Sequence, residues 1–296
     1  MTMLIGCMMA TNAAHVVELS LGSLHHVVDE LVLVDGGSTD ATQSVAKGFG
    51  ATVIESKWRE DYSAQRQVYL DYAIRRASPD SDAWAFVLDS DEILVGGEPR
   101  QTIKELNRLG LDHAMVPRKW LVDATGGLSY ISSHPHYPDR QLRLFRLRAG
   151  LRYTGRVHEV LHGLGSGRDI ETLTILHLDL LRTGRDQRTQ KVKLYEQSEP
   201  GSGVPRFYMF ERYGFTLEPL PIDGSIQPFI AGIKAMTKVR LTADDLRGKS
   251  LRYRLTRRPL DILDWSTLKA RRLPGRLRRV SRSSMERIRK ALGERA

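Results

Sequence analysis

Three carboxylates follow an apolar run within residues 84–92, and this segment is the strongest sign of chemistry in the chain. They belong to Asp89, Asp91 and Glu92. That much negative charge at the end of a buried strand costs free energy unless a cation shares the site. A divalent metal ion is the simplest such cation, because it takes oxygen ligands and also binds substrate phosphates. The segment suggests an enzyme that handles a nucleotide diphosphate, with Asp91 ligating the metal and Asp89 contacting sugar or ribose hydroxyls.

A second acidic side chain, Asp35, ends another apolar run and precedes Gly36 and Gly37. Glycines in such a turn let the backbone approach a ligand closely. Ser38 or Thr39 could cap the helix that follows. An aspartate in this place can accept a hydrogen bond from the imide of a nucleobase. Taken alone, the segment favours the plainer interpretation of an ordinary strand, turn and helix.

The elements that must position these side chains alternate between strand and helix. Strands are expected at 3–10, 30–34, 51–54 and 84–88, and helices at 13–25, 39–47 and 63–76. This alternation predicts a largely parallel sheet covered on both faces. Ligands collect at the carboxyl ends of the strands in such sheets. We therefore expect Asp35 and Asp89 to face one crevice.

The later part of the chain is more mixed. We expect a helix at 102–109, a loop over 124–138, and strands at 113–117, 141–147, 151–153 and 171–178. Residues 141–147 alternate polar and apolar, as a half-exposed strand does. Arg140, Arg143 or Arg146 could assist the leaving group, although alternating arginines on a strand usually form its solvent-exposed face. Further helices are expected at 185–197, 205–213 and 226–239. The predicted organisation is a catalytic domain over 1–183, a helical extension over 184–248 and a basic tail over 249–296.

Charge is unevenly distributed along the 296 residues. Residues 249–296 hold sixteen Lys and Arg against four acidic residues, so this tail carries +12 and the rest of the chain −2 of the total +10. A nearly neutral body argues against a specific nucleic-acid-binding protein, which would need a basic surface on the body itself. The tail is either a solubilising extension or a helix that lies on anionic lipid, which would give peripheral membrane contact.

Cysteine usage and hydropathy bear on location. Cys7 is the one cysteine and lies in an apolar run, so a buried thiol is expected and no intrachain disulfide can form. No segment has the length of a membrane span or the layout of a secretory signal. We expect a cytoplasmic location, at the inner face of the membrane if the tail binds lipid.

Four motifs follow one another along the chain: Met-Met-Ala-Thr-Asn at 8–12, Val-Leu-Val-Asp-Gly-Gly-Ser-Thr-Asp at 32–40, Asp-Tyr-Ser-Ala-Gln-Arg-Gln at 61–67 and Leu-Asp-Ser-Asp-Glu at 88–92. Together they resemble the family 2 glycosyltransferases over roughly the first 180 residues. The resemblance implies an α/β fold of the GT-A type, a Rossmann-like nucleotide-diphospho-sugar transferase with a mixed sheet, here with a helical C-terminal extension. The family often has a second aspartate where this chain has Gly36.

The resemblance also implies an activity. It is the inverting transfer of a sugar from a nucleotide diphosphate, most often UDP, to a glycan, lipid or protein acceptor, with Mn²⁺ or Mg²⁺ as cofactor. Asp35 would contact the base, while Asp89 and Asp91 would hold the sugar nucleotide and the metal. Ala10 and Asn12, in the opening strand and its turn, would contribute to substrate binding.

Arg66 would face the donor according to the same resemblance. As an alternative, it is an exposed helix residue or a partner of Asp61. Inverting transfer also needs a base that takes the proton of the acceptor hydroxyl. Segments 139–146 and 153–159 are similar to the R-L-F-R and Y-x-G-x-V-H-E arrangement of one bacterial branch of the family. We assign the base to Glu159, with Asp179 as the alternative.

Two histidines are candidate metal ligands, since neutral imidazole suits Mn²⁺. These are His158, in the V-H-E motif, and His177, which lies two residues before Asp179. Either could instead be a structural histidine, which is the favoured interpretation for His134 and His136.

Two rival functions belong to other classes. A nucleotidyltransferase also pairs carboxylates around a metal, but it should carry a glycine-rich basic loop after the first strand, which residues 10–13 lack. A nucleic-acid-binding protein without catalysis is disfavoured by the nearly neutral body.

Overall fold

The computed structural model describes residues 2–77, 82–124, 126–156, 158–198, 204–242 and 245, all of which belong to the unit Met1–Ser250. The predicted basic tail and its lipid-binding helix lie outside these residues. The strands are β1 (Met3–Ala10), β2 (Glu30–Asp35), β3 (Thr52–Glu55), β4 (Ala83–Val87), β5 (Glu92–Gly96), β6 (His113–Val116), β7 (Arg118–Ala124), β8 (Gly127–Ile131), β9 (Gln141–Arg146), β10 (Arg152–Thr154), β11 (Val160–His162), β12 (Gly167–Asp169), β13 (Leu173–His177) and β14 (Leu217–Pro219). The α-helices are α1 (Val17–His25), α2 (Thr42–Gly48), α3 (Tyr62–Arg76), α4 (Pro99–Arg108), α5 (Asp179–Arg182), α6 (Arg185–Ser198), α7 (Val204–Tyr208) and α8 (Ile230–Met236).

The main sheet has seven strands in the order β12-β6-β9-β4-β1-β2-β3. β1 pairs in parallel with β2 on one side and with β4 on the other, so that Cys7 lies opposite both Val32 and Val87. Apolar side chains of α1 pack on one face of these strands and those of α3 on the other. The strands are buried on both faces, which is why their sequences are almost unbroken apolar runs. Because β2 and β4 run parallel, Asp35 and the acidic segment after Val87 lie at the same edge of the sheet.

The sheet is mixed because β9 lies between β4 and β6 and runs antiparallel to both. This arrangement confirms the predicted mixed α/β class. The prediction that 141–147 is a half-exposed strand is wrong, since Arg143, Leu144 and Phe145 are all buried. Arg143 lies in an interior strand of a covered sheet and its charge is accommodated by buried carboxylates, whereas the side chain of Arg146, at the end of the strand, is 32% exposed.

A second sheet, in the order β14-β8-β7-β13-β5, begins directly at the acidic segment. Its first strand, β5, starts at Glu92 and was not predicted. The predicted loop over 124–138 also contains β8, which forms a hairpin with β7. Gly126 and Gly127 both have positive φ, 115° and 116°, a backbone conformation that glycine adopts without steric cost and that makes this tight turn possible.

Helices α6 and α7 pack on the second sheet, whereas the apolar side chains of α8 belong to the cluster that includes α1. Side chains of α6 and α7, including Tyr195 and Tyr208, share a hydrophobic cluster with Trp120 and Val122 of β7. The predicted helix at 205–213 is α7 followed by a 3₁₀ turn, Phe210–Arg212, and the one at 226–239 is a 3₁₀ turn followed by α8. The division at 183/184 stays a prediction. Within the described ranges, no helix combines the length and the apolar character needed to cross a bilayer.

Candidate active site

Asp35 is fully buried at the end of β2, and its carboxylate is surrounded by donors from its own turn. Its Oδ2 accepts the backbone N–H groups of Gly37 at 3.1 Å and Ser38 at 2.9 Å, and also the amide of Gln43 at 3.0 Å. The Ser38 hydroxyl donates to the other oxygen. Burial alone would raise the pKa of Asp35, but these hydrogen bonds outweigh it and the pKa is lowered. Ser38 therefore stabilises the turn by binding Asp35. It does not cap the following helix, which begins only at Thr42.

The turn after β1 and the turn after β2 are joined by reciprocal hydrogen bonds. The backbone N–H of Asn12 donates to Ser38 Oγ at 2.9 Å, and Asn12 Oδ1 accepts the N–H of Thr39 at 2.8 Å. The carbonyl of Ala10 accepts the N–H of Gly36 at 2.8 Å. Three predicted substrate-binding residues, Ala10, Asn12 and Asp35, thus belong to one interlocked pair of turns.

Arg66 projects from α3 and is buried. Its Nη2 lies 2.8 Å from Asp89 Oδ1, and its Nε forms a second ion pair with Glu159. Neither alternative for Arg66 holds, because the side chain is not exposed and Asp61 instead caps α3 by accepting the N–H of Ala64 at 2.9 Å. One guanidinium therefore brings the predicted base, Glu159, next to the predicted sugar-binding residue, Asp89.

The ion pairs continue away from Arg66 through two arginines that the sequence did not single out as buried. Arg143 Nη2 lies 2.7 Å from Asp89 and 2.6 Å from Glu92, and Arg118 lies 2.9 Å from Glu92. Arg118 also pairs with Asp139 at 2.6 Å. Burial alone would raise the pKa of Asp89, but the adjacent Arg143 and Arg66 hold it well below its usual value. We call this set the arginine–carboxylate network: Arg66, Arg118, Arg143, Asp89, Glu92, Asp139 and Glu159.

Asp91 lies outside that network and faces His177. Asp91 Oδ2 is 3.6 Å from His177 Nε2, an approach set by the antiparallel pairing of His177 in β13 with Glu92 in β5. Burial raises the pKa of Asp91, although the nearby imidazole of His177 acts in the opposite direction. The edge of Trp120 packs on His177 with ring centroids 4.1 Å apart. The Nδ1 atom of His177 is buried and has no hydrogen-bond partner among the described residues.

The structure thus brings together two of the three predicted metal ligands. His158 has a positive φ of 56°, and its ring lies beside Tyr195 with centroids 6.3 Å apart. Across the described part of the chain, no group of three or more His, Cys, Asp or Glu side chains has the arrangement of a metal site. His158 as a ligand stays a prediction.

Asp179, the alternative base, is held by two partners at the start of α5. Lys191 Nζ lies 2.8 Å from its Oδ2, and the Thr183 hydroxyl donates to its Oδ1 at 2.6 Å. Burial alone would raise the pKa of Asp179, but the adjacent Lys191 outweighs it and lowers the pKa to about 2. The backbone carbonyl of Asp91 accepts the N–H of Leu178 at 2.9 Å, so Asp179 lies close to the acidic segment.

Comparison with known proteins gives matches of limited coverage. The chain is 37% identical over 89 residues to a TPR repeat-containing protein of Synechococcus elongatus, over 30% of this chain and 20% of that protein. It is 26% identical over 153 residues to the SPbeta prophage-derived glycosyltransferase SunS of Bacillus subtilis, over 50% of this chain and 32% of the relative. The chain therefore spans a third or less of the length of these curated relatives.

Among solved structures, S. aureus TarS matches with a TM-score of 0.33 and 18% identity, over 40% of this chain and 22% of that chain. Glucosyl-3-phosphoglycerate synthase from Mycobacterium tuberculosis, in complex with Mn²⁺, UDP and glucosyl-3-phosphoglycerate, matches with a TM-score of 0.29 and 21% identity, over 40% of this chain and 44% of that chain.

The family model described as glycosyl transferase family 2 matches residues 7–163, more than half of the chain. This range contains the two interlocked turns, Arg66, the acidic segment and Glu159. The match confirms the resemblance drawn from the four sequence motifs and, with the mixed sheet, the predicted GT-A fold class. The chain belongs to glycosyl transferase family 2.

Proposed function

We propose that this family 2 protein is a glycosyltransferase, and that it inverts the anomeric carbon while it moves a sugar from a UDP-linked donor to a hydroxyl of a glycan, lipid or protein acceptor. The placement of Asp91 carries the proposal. Its side chain is 25% exposed at the end of the acidic segment, and no arginine of the described residues pairs with it. Asp89 and Glu92, by contrast, are neutralised by the arginine–carboxylate network. Asp91 is therefore the carboxylate of this segment that remains open to a ligand.

Asp91 and His177 fit a divalent cation, Mn²⁺ or Mg²⁺. A carboxylate and an imidazole are suitable donors for Mn²⁺, and the oxygens of the donor diphosphate would supply further ligands. The Nε2 atom of His177 lies 3.6 Å from Asp91 Oδ2, too far for a strong hydrogen bond, so one cation could contact both groups. When bound, the cation would stabilise the negative charge that develops on the diphosphate leaving group.

We propose that the donor lies over the interlocked turns, with Ala10, Asn12 and Asp35 beside the nucleoside. Glu159 then takes the proton of the attacking hydroxyl. Arg66 orients Glu159 by ion pairing and holds it next to Asp89. Asp179 is the weaker candidate, because the adjacent Lys191 outweighs the effect of burial and leaves it with a pKa of about 2, hence with little affinity for a proton.

The net charge of +12 on residues 249–296 supports a peripheral contact with an anionic membrane surface on the cytoplasmic side. Such a contact would bring the enzyme close to lipid-linked acceptors.

The test is a panel of nucleotide sugars incubated with the full chain and Mn²⁺, in which release of nucleoside diphosphate is measured with and without EDTA. We expect one donor to be turned over and EDTA to abolish its turnover. Asp91→Ala should abolish release, whereas Asp186→Ala, which removes an exposed carboxylate on α6, should not. Circular dichroism and thermal unfolding would check that both variants fold.

Two results would contradict the proposal. If no nucleotide sugar is bound or hydrolysed, the donor class is wrong. If folded Asp91→Ala keeps its turnover, the metal is held elsewhere or is not needed.

A further inference from the structure

A cavity of about 500 Å³ opens between the end of α5, the start of α6 and the chain after α8. The polar residues and the glycine that line it are Arg182, Thr183, Gly184, Gln187, Lys191 and Lys238. None of the described residues that line it is acidic. All of them lie beyond residue 163, where the family match ends. The cavity is therefore built by a part of the chain outside the family match.

The cavity has more positive charge than its surroundings neutralise. Lys191 is paired with Asp179 at 2.8 Å. Arg182 and Lys238 form no ion pair with any residue that the structure describes, and the Nε atom of Arg182 is buried without a hydrogen-bond partner there. Within the described ranges, two cationic side chains are thus left without a counter-charge. The buried N–H of Arg182 requires a ligand oxygen or water to complete its hydrogen bonding.

The position of the cavity links it to the candidate donor site. Arg182 ends the helix that Asp179 begins, and the backbone N–H of Lys238 donates to the Leu181 carbonyl at 2.8 Å, which fixes Lys238 to that helix. His15, in the turn after β1, lies within electrostatic reach of the same groups. Burial and the charges of Arg182 and Lys238 lower the pKa of His15, whereas Asp91 acts in the opposite direction. Lys191, which lines the cavity, pairs with Asp179, and the Asp91 carbonyl accepts the N–H of the preceding residue, Leu178, so the cavity lies close to the acidic segment.

We propose that this cavity binds a phosphate monoester carried by the acceptor. The inference rests on the proposed function, because it supplies the acceptor class for that reaction. A phosphate monoester carries a charge of about −1.5 to −2 at neutral pH, which matches the two uncompensated cations, whereas a carboxylate would match only one. The planar guanidinium of Arg182 offers paired donors to phosphate oxygens. The residues proposed to contact the nucleoside, Ala10, Asn12 and Asp35, lie on β1, β2 and the turns after them, whereas the cavity is formed by α5, α6 and the chain after α8. We therefore assign the phosphate to the second substrate.

The test is calorimetric titration of the full chain with inorganic phosphate, in the presence and absence of saturating UDP and Mg²⁺. We expect phosphate to bind in both conditions. Arg182→Gln/Lys238→Gln should weaken phosphate binding by about tenfold or more, because it removes both charge-assisted contacts, while UDP affinity stays within about twofold. The matched control is Lys104→Gln/Arg108→Gln, which removes the same two charges from exposed positions on α4 and should leave phosphate affinity unchanged.

Three outcomes would overturn the inference. In the first, the wild type does not bind phosphate. In the second, the cavity variant and the control lose affinity equally, so that only net charge matters. In the third, UDP and Mg²⁺ abolish phosphate binding, which would assign the cavity to the diphosphate of the donor. Failure of UDP itself to bind would count against the proposed donor and leave the phosphate result to decide this inference.

Discussion

The side chain of Thr11 fills the space beside Gly36, so that a Cβ added to Gly36 would lie 2.0 Å from Thr11 Oγ1. Gly36 stands where the family often has a second aspartate. Here Thr11, in the turn after β1, occupies the space in which a side chain at position 36 would lie. Any side chain at Gly36 therefore requires Thr11 to move. The absence of the second aspartate is therefore coupled to the presence of Thr11.

We expect Gly36→Ala to reduce the free energy of unfolding by about 1–3 kcal/mol, the usual cost of overpacking a tight site. Thr11→Ala should restore much of this loss, because it removes the clashing oxygen. A double-mutant cycle measured by chemical denaturation would detect the coupling. Additive effects of the two substitutions would show that Thr11 is not the obstacle.

Glu159→Gln should bind the donor normally and lose transfer by about 10²–10⁴-fold, the typical contribution of a general base. Asp179→Asn removes the other candidate carboxylate and should cost much less, because Asp179 is already neutralised by Lys191. Donor affinity from calorimetry and transfer rates from product release would separate binding from chemistry. The opposite ranking of the two variants would make Asp179 the base.

Arg143→Met should destabilise the fold by about 3–5 kcal/mol, since it leaves two carboxylates without a shared guanidinium in a buried setting. The affected carboxylates are Asp89 and Glu92, and Glu92 is completely buried. Arg168→Met is the matched control, because its ion pair with Glu105 is about half exposed and should contribute no more than about 1 kcal/mol. If Arg143→Met and Arg168→Met lowered the free energy of unfolding in urea equally, the buried ion pairs of Arg143 would contribute no more to stability than an exposed pair.

His136 should make stability depend on pH. Burial lowers its pKa to about 4, and its Nε2 donates to the Phe207 carbonyl at 2.9 Å. The unfolded chain takes up a proton near pH 6.5 and the folded chain only near pH 4, so this contribution is complete above pH 6.5 and is lost as pH falls towards 4. The loss should approach about 3 kcal/mol.

His136→Asn should flatten the pH dependence of the unfolding free energy between pH 6.5 and 4. His26→Asn, which replaces an exposed histidine, should not change it. Parallel pH profiles for His136→Asn and the wild type would disprove the assignment.

The parallel half of the fold was predictable because burial on both faces imposes long apolar runs on β1, β2 and β4. The turns after these strands carry motifs specific to the family, so the sequence also indicated Asp35, Asp89 and Asp91. These features depend on local patterns, which a single sequence displays directly.

The arginine–carboxylate network was not predictable, because it depends on contacts between segments that are distant in sequence. Polar and apolar alternation in 141–147 has the same appearance whether Arg143 meets water or buried carboxylates. Strand β5 was missed because Glu92 was grouped with the acidic turn. A charged residue can begin a buried strand only where guanidinium groups from distant segments share its charge, and here Arg143 and Arg118 lie 51 and 26 residues away in sequence.

The reciprocal hydrogen bonds between Asn12 and the Ser38–Thr39 turn have a consequence for engineering the proposed nucleotide site. The hydrogen-bond donors and acceptors of each turn are satisfied by those of the other. Replacing one turn with that of a relative would therefore leave groups in the other turn without partners. Exchanging nucleotide preference by loop transplantation would require both turns to be moved as one unit, together with the glycine and threonine that interlock beneath them.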